Sequence, residues 1–412
     1  MKIAVIAPTY LPARRANTIQ VMKMTQAFVE LGQVARLAVP GIPDGYPRQK
    51  PAWEELASQY GLRQSFPIEW LPVSSWMRRY DFGLRSVRWA RNWGAELLYT
   101  RLPQAAAIAS RSGMETILEI HDLPRGSLGP RLFRWFFTGK GARRLVVITQ
   151  ALADSLIQEL GAPVSPSFTV IAPDSVDLER YEELPSPEQA RRELLTNPKY
   201  LLTSAGGKLS PDRFTAGYTG HLYPGRGADM LLQIAKKLPE ILFLIVGGEH
   251  DDQARFERQV QSQGLENVLT IGFVPNAELP LFQSACDILL MPYQQHVSAS
   301  SGGDIALYLS PMKLFEYLAS GRAILSSDLA VLREVLNSEN AVLLPPGEVD
   351  AWVAALKELK DNPEQRAGLA QKARRDAAGY TWQERARRIL AGIAPLEESG
   401  AGEARFYSNA TN

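Results

Sequence analysis

One cysteine, Cys286, and four histidines are all that 412 residues offer of the common soft ligands. That excludes a disulfide framework and a zinc cluster of Cys and His, and it fits a reducing, cytoplasmic setting. The chain also lacks any run of the ~20 apolar residues needed to span a bilayer. Its start, MKIAVIAPTYLP, has only a short apolar run ending at Pro8 and Pro12, which reads as a buried first strand rather than a signal peptide. Membrane contact is therefore expected to be peripheral at most, at the inner face. No G-x-G-x-x-G follows the first strand of either half, which counts against a dinucleotide-dependent oxidoreductase. No Asp-x-Asp is placed to hold a metal, since Asp251 and Asp252 are adjacent and fall between elements, so no metal site is expected.

What is present is globular: 45% hydrophobic and 22% charged residues, without low-complexity runs or a repeat period. The length exceeds one ordinary core, and two domains of roughly 150 to 200 residues follow. Net charge is +1, yet residues 1–150 hold 21 Lys+Arg against 10 Asp+Glu. The amino-terminal part is the basic one. In it, WMRRYDFGLRSVRWARNW (76–93) and PRLFRWFFTGKGARRL (130–145) interleave arginine with Trp and Phe. Two readings stand: a surface for anionic lipid, or amphipathic helices with arginine stems over an aromatic core. No nucleic-acid partner is expected.

Strand-like runs alternate with helical ones from KIAVIAP and NTIQVMKMTQAFVELG onward, the rhythm of a parallel sheet covered on both faces. The rhythm breaks in LPSPEQARRELL and TSAGGKLSPDRF and resumes with TAGYTGHL, ILFLIVGG, VLTIGFV and DILLMPY. The expected division is 1–190, a linker at 191–212, a second domain at 213–379, and a terminal basic helix at 380–396 that packs back toward the first domain. Two doubly wound α/β domains place the carboxyl ends of both strand sets across one cleft, where such sheets bind ligands.

Two stretches suggest an anion site in that cleft. In SPMKLFEYLASG, Ser310 suits an N-cap, Pro311 the first helical position, and Gly321 the stop about three turns later. Lys313 and Glu316 share a face beside the free N–H groups of the helix start, as a ligand site or as a surface ion pair. Gly225, Arg226 and Gly227 follow a strand and precede a helix, so backbone N–H groups and a guanidinium can approach a phosphate.

The segments IAPDSVDLERY (171–181), GYTGHLYPGRGADMLLQIA (217–235), LFLIVGGE (242–249), TIGFVPNAELPLFQSACDILLMPY (270–293) and SPMKLFEYLASGRAILSSDLAVLREVL (310–336) resemble, in order, the retaining family-4 glycosyltransferases. The resemblance implies the GT-B fold: two Rossmann-like domains with parallel sheets facing a central cleft. It implies an acceptor site in the first domain and a nucleotide-sugar of UDP or GDP type, a co-substrate rather than a cofactor, in the second. Arg226 takes the place of the family's usual diphosphate-binding lysine, Glu316 that of the glutamate on the nucleotide ribose, and Lys313 adds a cation near the leaving group. Gly220, Gly225, Ser310, Pro311 and Met312 are implied beside the donor, and Phe273 and Val274 at the base. His121 matches a histidine that reaches the transferred sugar, with Asp122 able to orient its ring. Arg101, at a strand end on this side, reads as an acceptor contact or a local ion pair, and Arg14, Arg15, Asn17 and Thr18, in the loop between first strand and first helix, are expected at the acceptor entrance.

One departure matters. Where the family commonly has a second glutamate, eight residues before Glu316, this chain has Tyr308; the nearest acid is Asp304, beside Gly303, and both are placed near the donor sugar. The implied activity is transfer of a sugar to a glycan or lipid-linked acceptor in cell-surface polysaccharide or glycolipid synthesis. The attack is on the front face, and the leaving phosphate helps take the proton. A nucleotide-sugar 2-epimerase and a non-catalytic nucleotide-sugar-binding protein are the alternatives.

Overall fold

The computed structural model describes residues 1–41, 50–74, 80–200, 208–298 and 303–393. Residues 76–79 of the first basic stretch, 201–207 of the expected linker and 394–396 of the terminal stretch lie outside the described residues.

Seven parallel strands form the first sheet: Lys2–Ile6 (β1), Val34–Pro40 (β2), Ile68–Leu71 (β3), Leu97–Thr100 (β4), Glu115–Ile120 (β5), Ala142–Val147 (β6) and Thr169–Ile171 (β7). Their order is β3-β2-β1-β4-β5-β6-β7. The second sheet has six: Thr215–Thr219 (β8), Leu242–Val246 (β9), Val268–Gly272 (β10), Ile288–Met291 (β11), Ala323–Ser327 (β12) and Val342–Leu344 (β13). They run β10-β9-β8-β11-β12-β13, again all parallel. Strand order reverses beside β1 and beside β8, which opens a crevice at the carboxyl end of each sheet.

The sequence of β9 shows why both faces are covered. Leu242, Leu244 and Val246 enter one core while Phe243 and Ile245 enter the core on the opposite face, so every residue of LFLIV is buried.

The helix Pro187–Thr196 runs through the expected division at 190/191. Ser186 and Gln189 close a capping box at its start, and Arg191 reaches the Ala285 carbonyl and the Asp287 carboxylate at 2.9 Å each, which ties it to the second unit. The helix Trp382–Leu390 crosses back: Trp382, Ala386, Ile389 and Leu390 complete the core of the first unit against the helix Ala16–Glu30. In the stretch 130–145, Phe133 and Phe136 are core while Trp135 is 52% exposed.

Candidate active site

A cleft of 420 Å³ lies between the carboxyl ends of the two sheets. The loop after β1 supplies Arg14 and Arg15, the first turn of the helix Ala16–Glu30 supplies Asn17, and the segments after β4, β5 and β7 supply Arg101, His121 with Asp122, and Asp174. Facing them are Gly220, His221 and Arg226 after β8, Phe273, Val274 and Asn276 after β10, Tyr293 after β11, and the helix Met312–Ala319 with Ser310 and Pro311 before it.

That helix differs from its expected form. It has eight residues, about two turns, and Pro311 in extended backbone occupies the N-cap. The Ser310 hydroxyl is not a cap, because it accepts a hydrogen bond from the Asp174 backbone N–H at 3.0 Å and so joins the two units. Gly321 follows the helix at φ 64°, where a Cβ is disfavoured.

Lys313 and Glu316 are both buried and both face the cleft, and no ion pair joins them among the described residues. Glu316 Oε1 accepts from Asn276 Nδ2 at 3.0 Å and Oε2 from Gln283 Nε2 at 3.4 Å. Lys313 Nζ has no hydrogen-bond partner and lies 3.7 Å from the Tyr218 ring centroid. Burial, then the nearby Arg226 charge, lowers its pKa well below the ordinary lysine value, and Glu316 only partly opposes this. Arg226 donates through one terminal nitrogen to Tyr293 Oη at 3.0 Å, and its Nε is unpartnered. The His221 ring stacks on Tyr223, its Nδ1 lies 4.0 Å from Glu249 Oε1, and burial followed by Arg226 and Lys313 pushes its pKa down to about 4. Two buried cationic nitrogens, Lys313 Nζ and Arg226 Nε, thus line one part of the cleft without a hydrogen-bond partner among the described residues. Such groups are costly to bury unless a ligand meets them, and the chemistry that meets both cations is an oxyanion with several oxygens.

On the opposite wall the His121 ring is held by Glu119, not by Asp122. Asp122 accepts from the Tyr308 hydroxyl at 2.6 Å, and Arg125 also donates to that hydroxyl at 3.0 Å. Tyr308 inserts into a core cluster of the first unit with Phe133 and Ile148. The residue at the missing glutamate position therefore bridges the two units instead of facing the cleft.

Gly303 and Asp304 do not line the cleft. A Cβ at Gly303 would overlap the Arg125 guanidinium, and Asp304 folds its own loop by accepting from the backbone N–H groups of Val297 and Ala306. Gly225, at φ 83°, packs against the His296 carbonyl. Thr18 is buried in the helix Ala16–Glu30 with its hydroxyl 2.6 Å from that of Thr9. The Arg14 guanidinium lies 4.0 Å over the Phe273 ring, joining the walls at one end.

Asp174, Glu119, His221, Asn276 and Tyr293 carry much of this geometry but received no role from the sequence. His221 sits inside GYTGHLYPGRG, and Glu119 interrupts the apolar run of TILEIHD; both were visible as polar residues where a strand end enters a cleft.

Residues 204–376 match the family described as Glycosyl transferases group 1. The 2-deoxystreptamine glucosyltransferase of Streptomyces kanamyceticus is 24% identical over 376 residues, which cover 84% of this chain and 89% of the relative. The D-inositol 3-phosphate glycosyltransferase of Kineococcus radiotolerans is 24% identical over 267 residues, 59% of this chain and 55% of that one. Among solved structures, Anabaena HepE in complex with UDP superposes with a TM-score of 0.70 at 17% identity, covering 95% of this chain and 98% of that chain. The same protein with UDP-glucose gives 0.69. The two facing parallel sheets are the GT-B architecture.

Proposed function

We propose that this chain, a glycosyltransferase of the hexosyl type, takes a UDP-sugar in the wall built by the second sheet and transfers the sugar, with retained anomeric configuration, to an acceptor hydroxyl at the wall built by the first. The observation that carries the reading is the pair of cleft-lining cations, Lys313 and Arg226, whose Nζ and Nε have no hydrogen-bond partner among the described residues. A diphosphate placed there would supply their partners, with the helix start at Met312 adding backbone N–H groups. UDP is favoured over GDP because the superposed HepE complexes hold UDP and UDP-glucose.

In this reading Glu316, pre-oriented by Asn276 and Gln283, accepts from the ribose hydroxyls, and Phe273 and Val274 border the base. The bond between the anomeric carbon and the diphosphate oxygen breaks as negative charge moves onto phosphate, and Lys313 and Arg226 stabilise that charge. The acceptor oxygen bonds to the same face of the anomeric carbon, and its proton passes to the departing phosphate oxygen. No protein nucleophile is required. Arg14, Arg15 and Arg101 make the acceptor side cationic, which suits an acceptor bearing phosphate or carboxylate, glycan or lipid-linked. Exposed Leu128 and Trp135 flank the arginines of the helix Gly129–Phe137, a face suited to an anionic membrane. Among the described residues no helix is long and apolar enough to cross a membrane.

Titration calorimetry with UDP, GDP, UDP-glucose and GDP-mannose tests the donor. UDP and UDP-glucose are expected to bind at micromolar concentration, and a chain that binds none of the four overturns the reading.

A further inference from the structure

The wall opposite the diphosphate site is held by a helix from the far end of the chain. Arg385, on the helix Trp382–Leu390, is 2% exposed and forks onto Glu119, with one terminal nitrogen 3.2 Å from Oε2 and the other 3.0 Å from Oε1. The same guanidinium donates to the carbonyls of Pro173 and Ala172 at 2.8 and 3.0 Å, which fixes its plane. Glu119 is fully buried and also accepts from Gln20 Nε2 at 2.7 Å and from the Tyr99 hydroxyl, and its Oε1 bonds His121 Nε2.

An ionised carboxylate only accepts hydrogen bonds. Burial opposes the charge of Glu119, but Arg385, then His121, outweigh it and hold its pKa well below the usual carboxylate range. Nε2 of His121 must therefore carry the hydrogen. A second proton on the ring is disfavoured first by burial and then by Arg101, against the pull of Glu119, and the His121 pKa falls to about 4. A neutral imidazole with its hydrogen on Nε2 has its lone pair on Nδ1, the ring nitrogen that Glu119 does not hold, in a residue that lines the cleft.

We propose that Arg385 is a positioning residue for the transfer site: by keeping Glu119 ionised it fixes the Nε2–H form of His121, so that Nδ1 meets the substrate as an acceptor for a hydroxyl hydrogen. Without the Arg385 guanidinium, the buried Glu119 keeps Gln20, Tyr99 and His121 as hydrogen-bond partners and the Arg101 charge nearby without an ion pair to it among the described residues, and it takes up a proton. Its O–H then donates to Nε2, the ring hydrogen moves to Nδ1, and the cleft meets a donor where it had an acceptor. The role in transfer rests on the proposed donor site; the tautomer does not.

The test uses the full chain labelled with ¹⁵N-histidine at pH 7, with His121 assigned from the signals lost in His121→Asn. Long-range ¹H–¹⁵N spectra of the wild type should show Nε2 protonated and Nδ1 bare. Arg385→Met should move the hydrogen to Nδ1, Arg385→Lys should keep the wild-type pattern, and Arg385→Gln takes the place of the methionine variant if that one fails to fold. UDP-glucose hydrolysis should fall roughly tenfold or more in kcat for Arg385→Met, with KM little changed. A wild-type ring with its hydrogen on Nδ1, or a neutral variant with the wild-type tautomer, overturns the proposal. If UDP is not bound, the donor reading fails while the tautomer result still decides this one.

Discussion

The Lys313 ammonium sits 3.7 Å from the centroid of the Tyr218 ring with no hydrogen-bond partner, in a side chain 8% exposed. A cation over an aromatic face recovers only part of its lost hydration. The site is thus held in a state that favours an anionic ligand at the expense of the empty fold.

Lys313→Met should separate these two effects. The empty protein gains stability, on the order of 1 kcal/mol, because a buried unpaired charge is removed. Since the folded pKa of Lys313 lies below its ordinary 10.5, the unfolded chain binds more protons between the two values, and wild-type stability rises with pH across that window. The variant's advantage is therefore full below the depressed pKa and gone above 10.5. UDP affinity should fall at least tenfold in calorimetry, and unchanged affinity would remove Lys313 from the donor site.

Glu316→Gln keeps the shape of the side chain but loses the charge that Asn276 and Gln283 orient. UDP-sugar affinity should drop by about 1.5–3 kcal/mol, the scale of a hydrogen bond to a charged group, with the circular dichroism spectrum unchanged. Equal affinity for UDP in variant and wild type would return Glu316 to a structural role.

Arg226→Ala should lower turnover by roughly 10²-fold or more and weaken donor binding less, because the guanidinium acts most strongly as charge moves to the leaving phosphate. Arg226→Lys should recover much of the rate. With protein cations meeting the diphosphate, turnover should also persist in EDTA. An alanine variant within about threefold of wild type at saturating donor would place the diphosphate elsewhere.

Asp174 Oδ1 is buried without a partner, and burial, partly offset by Arg385 and Arg101, pushes the carboxyl up to about 6. The native state therefore binds more protons than the unfolded chain between its ordinary 3.8 and about 6, so this group costs stability as pH rises through that window. Asp174→Asn should be more stable than wild type above pH ~6, on the order of 1–3 kcal/mol, and nearly equal to it near pH 4. Melting curves across that range check it, and an equal offset at both ends would show that the carboxyl does not titrate as described.

The two sheets were legible because runs such as KIAVIAP and ILFLIVGG bury both faces, which composition and turn signals reveal locally. The facing of Arg226, Lys313 and Glu316 followed from the resemblance and from loops at strand ends. What was not legible depends on partners far away in the chain. Ser310 has the composition of an N-cap, but its hydroxyl is taken by the N–H of Asp174, 136 positions away. His121 beside Asp122 suggested a local pair, whereas the partner that holds the ring, Glu119, is fixed by Arg385 from 266 positions away. Tyr308 could be recognised as a departure, but not as a side chain inserted into the core of the other unit.

The central claim is that this cleft breaks the bond between a sugar and UDP and keeps the anomeric configuration. Time-resolved ¹H NMR of UDP-glucose with the enzyme in the absence of acceptor tests it directly, because water then takes the acceptor's place and the first anomer formed is visible before mutarotation. The account predicts UDP released together with α-glucose. β-Glucose formed first, or UDP-glucose left intact at high enzyme concentration, would contradict it.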